Sequence, residues 1–380
     1  MNIRIYDYSY HEVVSGGDVI VAEFAKSWIA THHQVTIVTH PDASDFFRSR
    51  QIPETALSSV GMAEDKTRSV LIGSIRHLFH AISRALGSRD TAADIIFASS
   101  WSLPDILPAI IDKLRHRTSH LAVGCYIFLL PPWRHAYGAT VLHRVIFWIS
   151  YLIGIGLMRL FADTVWTASP IDAAYVTARY GKNAFPIRGG VDVAMATQVH
   201  STVTKKRYDA LYIGRFHPQK NILELIDIWQ MVVRNRPKAT LAIAGAGFQR
   251  EEIEKKISSL KLTELITVLP PVDREEKFRL IAASRLFVSA SHFDTGNLAM
   301  DEALATATPG VTYDLAHLVY PNGVILIPPF DTETFARTVI ELLEDDARRE
   351  QLGREAKAFA RTLAWELQAD RALLSLGIKR

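Results

Sequence analysis

Apolar runs of strand length alternate with helix-spaced apolar patterns along most of the 380 residues, and the alternation starts afresh near residue 208. Ile3–Tyr6, Val35–Thr39, Ile95–Ala98, Leu121–Phe128 and Thr164–Ala168 read as strands of a first series. Ala210–Ile213, Thr240–Ala244, Ile266–Leu269, Leu286–Ser289 and Gly310–Thr312 read as a second. Between the first two strands, Val21, Phe24, Ala25, Trp28 and Ile29 recur at helical spacing and put one apolar face on a sheet. Such alternation is the signature of a layered α/β protein with parallel sheets. We therefore expect two Rossmann-like domains facing across a cleft: 1–196, 197–362, and a closing helix in 363–380 that returns to the first domain. The polar stretch Thr197–Arg207 is the linker candidate.

Composition narrows the function classes. A chain 48% hydrophobic and 22% charged has material for two cores, which excludes disorder and low-complexity architecture. Its single cysteine, Cys125, forms no intrachain disulfide, and no Cys/His group has zinc-ligand spacing. The opening MNIRIYDYSY lacks the basic start and apolar run of a signal peptide, so a cytoplasmic location is expected. A net charge of +3 makes no case for a nucleic-acid partner. The distribution of charge says more. Segment 113–162 contains no acid and carries Lys113, Arg115, Arg117, Arg134, Arg144 and Arg159. It also holds the longest apolar run, Val145–Met158, which as a helix covers roughly 21 Å and falls short of the ~30 Å hydrocarbon core. With the apolar loop Phe128–Trp133 and the stretch 71–89 carrying Arg76, Arg84 and Arg89, this composition suits contact with an anionic membrane face; a helix buried under the sheet is the alternative.

In open α/β sheets ligands sit beyond the carboxyl ends of the strands, so motifs there are read first. Gly16 and Gly17 directly precede the first helix and allow close approach of backbone to an anion, although a glycine pair is common in such loops. Gly214 ends the first strand of the second series, and Arg215 and Lys220 follow it in GRFHPQKN, two cations able to converge on one diphosphate. In SHFDTGNLAMDEALATATPG, Asp294 and Glu302 are separated by seven residues, with Gly296 and Asn297 in a loop and a helix starting near Leu298. One carboxylate then lies before the helix and one inside it, and both can take sugar hydroxyls while helix N–H groups meet a phosphate. The plain alternatives are a solvated cation pair and a helix cap at Asp294 with an exposed Glu302.

Taken in order, these motifs resemble a family 4 glycosyltransferase with the GT-B fold over nearly the whole chain. GGDVIVAEFAKSWIATHHQVTIVTH is similar to that family's first loop, helix and second strand, and IRGGVDV to the segment closing its first domain. YDALYIGRFHPQKN, LAIAGAGFQREEI and DTGNLAMDEALATATPG resemble its phosphate-binding strand end, its Gly-rich turn and its acidic signature. The resemblance implies retaining transfer of a sugar from a nucleoside diphosphate sugar. Arg215 and Lys220 would hold the diphosphate, Asp294 the donor sugar, Glu302 the ribose, and Gly17 would lie near the reacting phosphate. It places an acceptor, lipid-linked or another glycan, on the first domain. No Asp-x-Asp pair occurs, so neither a metal nor another cofactor is expected.

Three departures stand out. Asp294 replaces the family's usual Glu, Ala307-Thr308-Pro309 replaces Gly-Thr-Pro, and Tyr126 or Phe128 stands near the place of a sugar-contacting His, with His135 further along. Asp294 and the missing loop His keep a non-catalytic nucleotide-sugar-binding membrane partner open as an alternative. Another GT-B enzyme, such as a nucleotide-sugar epimerase, is a third reading.

Overall fold

The computed structural model describes residues 1–8, 16–59, 70–87, 90–129, 131 and 141–377. The chain divides into two compact units, Met1–Gly189 with Trp365–Arg380, and Gly190–Ala364. Strands β1 (Asn2–Asp7), β2 (Gln34–Thr39), β3 (Leu57–Ser59), β4 (Ile95–Ala98), β5 (His120–Cys125), β6 (Thr164–Thr167) and β7 (Asn183–Pro186) belong to the first unit. The second has β8 (Tyr208–Ile213), β9 (Leu241–Ala244), β10 (Ile266–Leu269), β11 (Ser284–Ser289), β12 (Gly310–Tyr313) and β13 (Val324–Ile327). Helices α1 (Gly16–Ala30), α2 (Ser44–Ser49), α3 (Val70–Gly87), α4 (Leu103–Arg115), α5 (Val141–Phe161) and α6 (Pro170–Tyr180) accompany the first sheet. The second is accompanied by α7 (Val193–Thr202), α8 (Ile222–Asn235), α9 (Arg250–Ser259), α10 (Arg274–Ala282), α11 (Leu298–Ala305), α12 (Thr332–Glu344) and α13 (Asp346–Arg361). Helix α14 (Trp365–Ser375) follows.

Both sheets are parallel, ordered β3-β2-β1-β4-β5-β6-β7 and β10-β9-β8-β11-β12-β13. Each is covered on both faces, which is why Ile3, Ile5, Ile95, Ile96, Leu211, Ile243 and Val288 are fully buried on continuous apolar strands. Strand order reverses between β1 and β4 and again between β8 and β11. These switch points are where an open α/β sheet presents diverging loops to a ligand.

The structure adds β3, β7 and β13, all at or near sheet edges, to the strands read from sequence. Asn183, Phe185 and Pro186 of β7 are exposed, and an edge strand needs no apolar alternation. Strand β5 stops at Cys125 rather than Phe128.

The domain boundary also moves. Residues 197–202 are the second half of α7, whose Ala196 and Val199 are buried in the second unit's core, so the stretch Thr197–Arg207 is not a linker. The backbone N–H of Val191 donates to Leu363 O at 2.8 Å, which ties the beginning and end of the second unit together. Helix α14 is anchored to the first unit. Trp28 Nε1 donates to Ala369 O at 3.1 Å, Trp166 Nε1 donates to Ser375 Oγ at 2.9 Å, and Trp365 packs edge-on against Phe24.

The apolar run Val145–Met158 is the middle of a longer helix. At 21 residues, α5 is about 31 Å long and no longer short of a hydrocarbon core. Among the described residues, one helix, at Arg144–Phe161, is long and apolar enough by length and composition to cross a membrane. One side of α5, with Tyr151, Ile155 and Met158, is packed in the first unit's core, whereas Phe147, Ile149, Leu152, Ile153 and Leu160 are exposed. The helix is therefore not a wholly buried core helix. The bases around it are less free than their sequence suggests: Lys113 pairs with Asp163 at 2.9 Å, Arg115 donates to the carbonyls of Ala85 and Leu86, and Arg84 pairs with Asp90 at 3.2 Å. Arg117 and Arg159 are exposed. Trp133, Arg134, His135 and Arg89 lie outside the described residues, as does the side chain of Arg76.

Candidate active site

The second unit's switch point assembles the cations and carboxylates. Gly214, Arg215 and Lys220 follow β8, and Asp294 follows its neighbour β11. Lys220 Nζ donates to Asp294 Oδ2 at 2.6 Å, with the two side chains 17% and 9% exposed. The other oxygen, Oδ1, accepts N–H bonds from Thr295 at 3.0 Å and Asn297 at 3.2 Å and so shapes the turn leading into α11. Asp294 thus engages both the lysine and the turn. Arg215 is exposed and makes no ion pair among the described residues.

Two neighbours register the convergence of these charges. Burial, with Arg215 and Lys220 beside it, holds the His217 imidazole below its ordinary value, so this ring is neutral near pH 7. Burial, with Asp294 beside it, pushes the Tyr212 hydroxyl upward while Arg215 opposes the shift. The β8 and β9 loops pack backbone to backbone: a Cβ on Gly245 would come within 2.0 Å of Gly214 O, and one on Gly247 within 2.2 Å of Phe216 O. Both glycines also have φ in the left-handed half of the map, +147° and +155°.

Helix α11 completes the site. Asn297 caps it by accepting the Met300 N–H at 3.3 Å, and among the described residues the N–H groups of Leu298 and Ala299 donate to no acceptor. Asn297 Nδ2 is buried without a hydrogen-bond partner in the same place. Gly296 lies in the turn, with open space where a Cβ would stand. An anion at this helix start would meet unpaired N–H groups, the positive end of the helix dipole and two cations. Glu302 is in the second turn of α11 and is held by Lys277 of α10 at 2.5 Å. Lys277 had no sequence signal, because only the packing of α10 on α11 brings it to Glu302. His217 was visible inside the GRFHPQKN motif but carried no pattern of its own.

At the first unit's switch point the structure places a different chemistry. Gly16 and Gly17 are the first residues of α1 rather than a loop before it. The next residue, Asp18, is buried with Asp7 at the end of β1 and Asp105 in the first turn of α4. Ser99 Oγ donates to Asp7 Oδ1 at 2.8 Å and lies 3.1 Å from Asp105 Oδ2, while Tyr8 N donates to Asp105 Oδ1 at 2.6 Å. Asp7 Oδ2 has no partner. Burial, then Asp18 and Asp105, push the Asp7 carboxyl well above the usual carboxylate range. These acids oppose an anion at the start of α1. Beyond β5, the hydroxyl of Tyr126 is buried without a partner, and Phe128 packs edge-on against Tyr175 at 5.3 Å.

Residues 197–359 match the family described as glycosyl transferases group 1. Over 160 residues the chain is 28% identical to poly(glycerol-phosphate) alpha-glucosyltransferase of Bacillus subtilis, a match covering 40% of this chain and 23% of that protein. It is 24% identical to glycogen synthase of Mycobacterium tuberculosis, covering 94% of this chain and 89% of that one. Anabaena Alr3699/HepE, solved in complex with UDP and glucose, superimposes with a TM-score of 0.74 at 15% identity, over 99% of both chains. Two parallel Rossmann-like sheets give the chain GT-B architecture, and these matches make it similar to glycosyltransferases. The residues matched by the family model lie in the second unit and run from within α7 to near the end of α13.

Proposed function

We propose that this glycosyltransferase moves a sugar, with retention of configuration, from a nucleoside diphosphate sugar to a lipid-linked or other glycan acceptor at a membrane face. The observation that carries the donor assignment is the set of groups at the β8/β11 switch point: Arg215, Lys220 and the unpaired N–H groups of Leu298 and Ala299. Negative charge grows on the diphosphate as its bond to the sugar breaks, and fixed cations and helix N–H groups stabilise that charge without reorganising. In this reading Gly214 and Gly296 let the backbone approach the phosphates, Asn297 offers its free amide, and Glu302, set by Lys277, receives the ribose hydroxyls. Asp294 holds Lys220 in place, and a donor-sugar hydroxyl would share its Oδ2. UDP and glucose in the Anabaena protein support a donor of this class. Retention rests on the resemblance of the motifs.

With no Asp-x-Asp pair and with cations at the leaving group, we propose turnover without a divalent ion. Activity lost in chelator and restored by magnesium or manganese would refute that. Membrane association rests on the exposed apolar side of α5, half-embedded in the way of a helix lying in the interface, at the cytoplasmic face where segment 113–162 would meet anionic lipid. A panel of nucleoside diphosphates tests the donor site directly. The right one, at one hundred times its dissociation constant, should stabilise the protein by about 2.7 kcal/mol, and no stabilisation by any of them would remove the donor assignment.

A further inference from the structure

A second group of side chains lies at the carboxyl ends of β8, β11, β12 and β13, and the donor site does not use it. Phe330, just after β13, has φ +67°, a left-handed conformation that glycine adopts freely and a bulky side chain resists. Its ring does not repay this by burial, being 64% exposed. Instead it stands over His292, ring centroids 4.6 Å apart, with the Tyr313 ring 6.3 Å away. Tyr313 donates its hydroxyl to Glu224 Oε1 at 2.5 Å, the same oxygen lies 3.3 Å from His292 Nε2, and Asn221 Nδ2 approaches that nitrogen at 2.5 Å. Residues at or just beyond the ends of four strands thus place an open aromatic ring beside a carboxylate, an amide and an imidazole.

The chemistry of this group selects its ligand. A phosphate would meet the carboxylate of Glu224, and among the described residues no Lys or Arg is bonded into the cluster. A neutral sugar ring would lay its C–H face on Phe330, and its hydroxyls, which can both donate and accept, would donate to the Glu224 carboxylate and meet Asn221 and His292 in either sense. We propose that Phe330, His292, Glu224 and Asn221 form a saccharide subsite of the second unit, separate from the Arg215–Lys220 anion site, that stacks one neutral pyranose ring on Phe330. It deepens the glycosyltransferase reading and rests on it only for the source of the saccharide, which is a single free sugar or one ring of a glycan.

The test uses the full chain and saturation-transfer NMR with two sets of probes at millimolar concentration: methyl glycosides of glucose, galactose and mannose, and maltotriose and cellotriose. Phe330→Gly is the informative variant, because glycine suits the backbone there and should leave the melting temperature unchanged or raise it. The wild type should bind at least one probe, with affinity reduced roughly three- to tenfold in Phe330→Gly. Glu224→Gln, which keeps an acceptor for Tyr313, should weaken binding less. Binding of methyl glycosides points to a single sugar; binding of the trisaccharides alone points to a glycan. Saccharide binding equal in Phe330→Gly and wild type, no binding of any probe, or free nucleosides binding in a Phe330-dependent manner would each overturn the subsite. Nucleoside diphosphate binding, measured in parallel, should be the same in all three proteins. Its absence from the wild type would count against the donor site, leaving the saccharide arms to decide this proposal.

Discussion

The two sheets share strand direction and a switch point, yet the loops at their carboxyl ends carry opposite chemistry. In the first unit Asp7, Asp18 and Asp105 are buried together with Ser99, and in the second Lys220 and Lys277 each hold one carboxylate while Arg215 stays exposed. The scaffold therefore decides where a ligand sits, and the loop residues decide its charge. The cations of the second unit are what the proposed diphosphate site draws on. The buried acids at the end of the first sheet would oppose an anion there.

The contrast can be broken most severely at Lys220. Lys220→Ala should lower turnover by about 10²–10³. It also leaves the nearly buried Asp294 carboxylate without its cation, at a cost of about 1–3 kcal/mol in stability. Adding Asp294→Asn should restore most of the stability and none of the turnover, which thermal melts and initial rates would separate. Normal turnover in Lys220→Ala would move the anion site elsewhere.

Next in size is the exposed side of α5. Phe147→Ser with Ile153→Ser should reduce binding to anionic vesicles roughly thirtyfold, from about 1 kcal/mol of apolar burial lost at each position. The salt dependence should change little, because these residues carry no charge. Unchanged co-sedimentation would assign the patch to some other contact.

A smaller effect is expected at the paired carboxylates. Glu302→Gln should weaken nucleoside diphosphate affinity about tenfold, and Lys277→Ala should follow it in the same direction. Asp294→Asn should leave that affinity nearly intact and lower transfer. Calorimetry on the three variants checks the split; equal losses in Glu302→Gln and Asp294→Asn would erase it.

The smallest effect sharpens the other side of the comparison. The Asp7 value is raised in the fold, so this group's contribution is fully present below the ordinary carboxylate range and is lost as pH rises through the folded value. Asp7→Asn keeps an acceptor for Ser99 and should raise stability at neutral pH by about 1 kcal/mol, flattening the decline with pH. A denaturation series across pH would show it, and a destabilised variant with an unchanged slope would mean that Asp7 is ionised in the fold.

Strands buried on both faces were legible as apolar runs, whereas β3 and β7, at the first sheet's two opposite edges, carry too few apolar residues to announce themselves. Arg215, Lys220, Asp294 and Glu302 could be picked out because each lies a fixed short distance after a readable strand or within a readable helix. Their partners could not. Lys277 is 25 residues from Glu302 and Lys220 is 74 from Asp294, separations at which no local pattern links two side chains. The helix containing Val145–Met158 was underestimated in length because His143, Arg144 and Arg159 interrupt the apolar run before the helix ends, and which of its sides is exposed depends on what α4 and the sheet cover.

Periodicity and short-range spacing are properties of the chain, so the alternation of strands and helices, the two-sheet class and the chain positions of the chemical groups follow from the order of residues. Packing settles which lysine holds which carboxylate, that three acids share one buried place at the end of β1, and that Phe330 stays open beside His292. Burial and charge pairing arise between elements distant in sequence, and they exist only once those elements have packed.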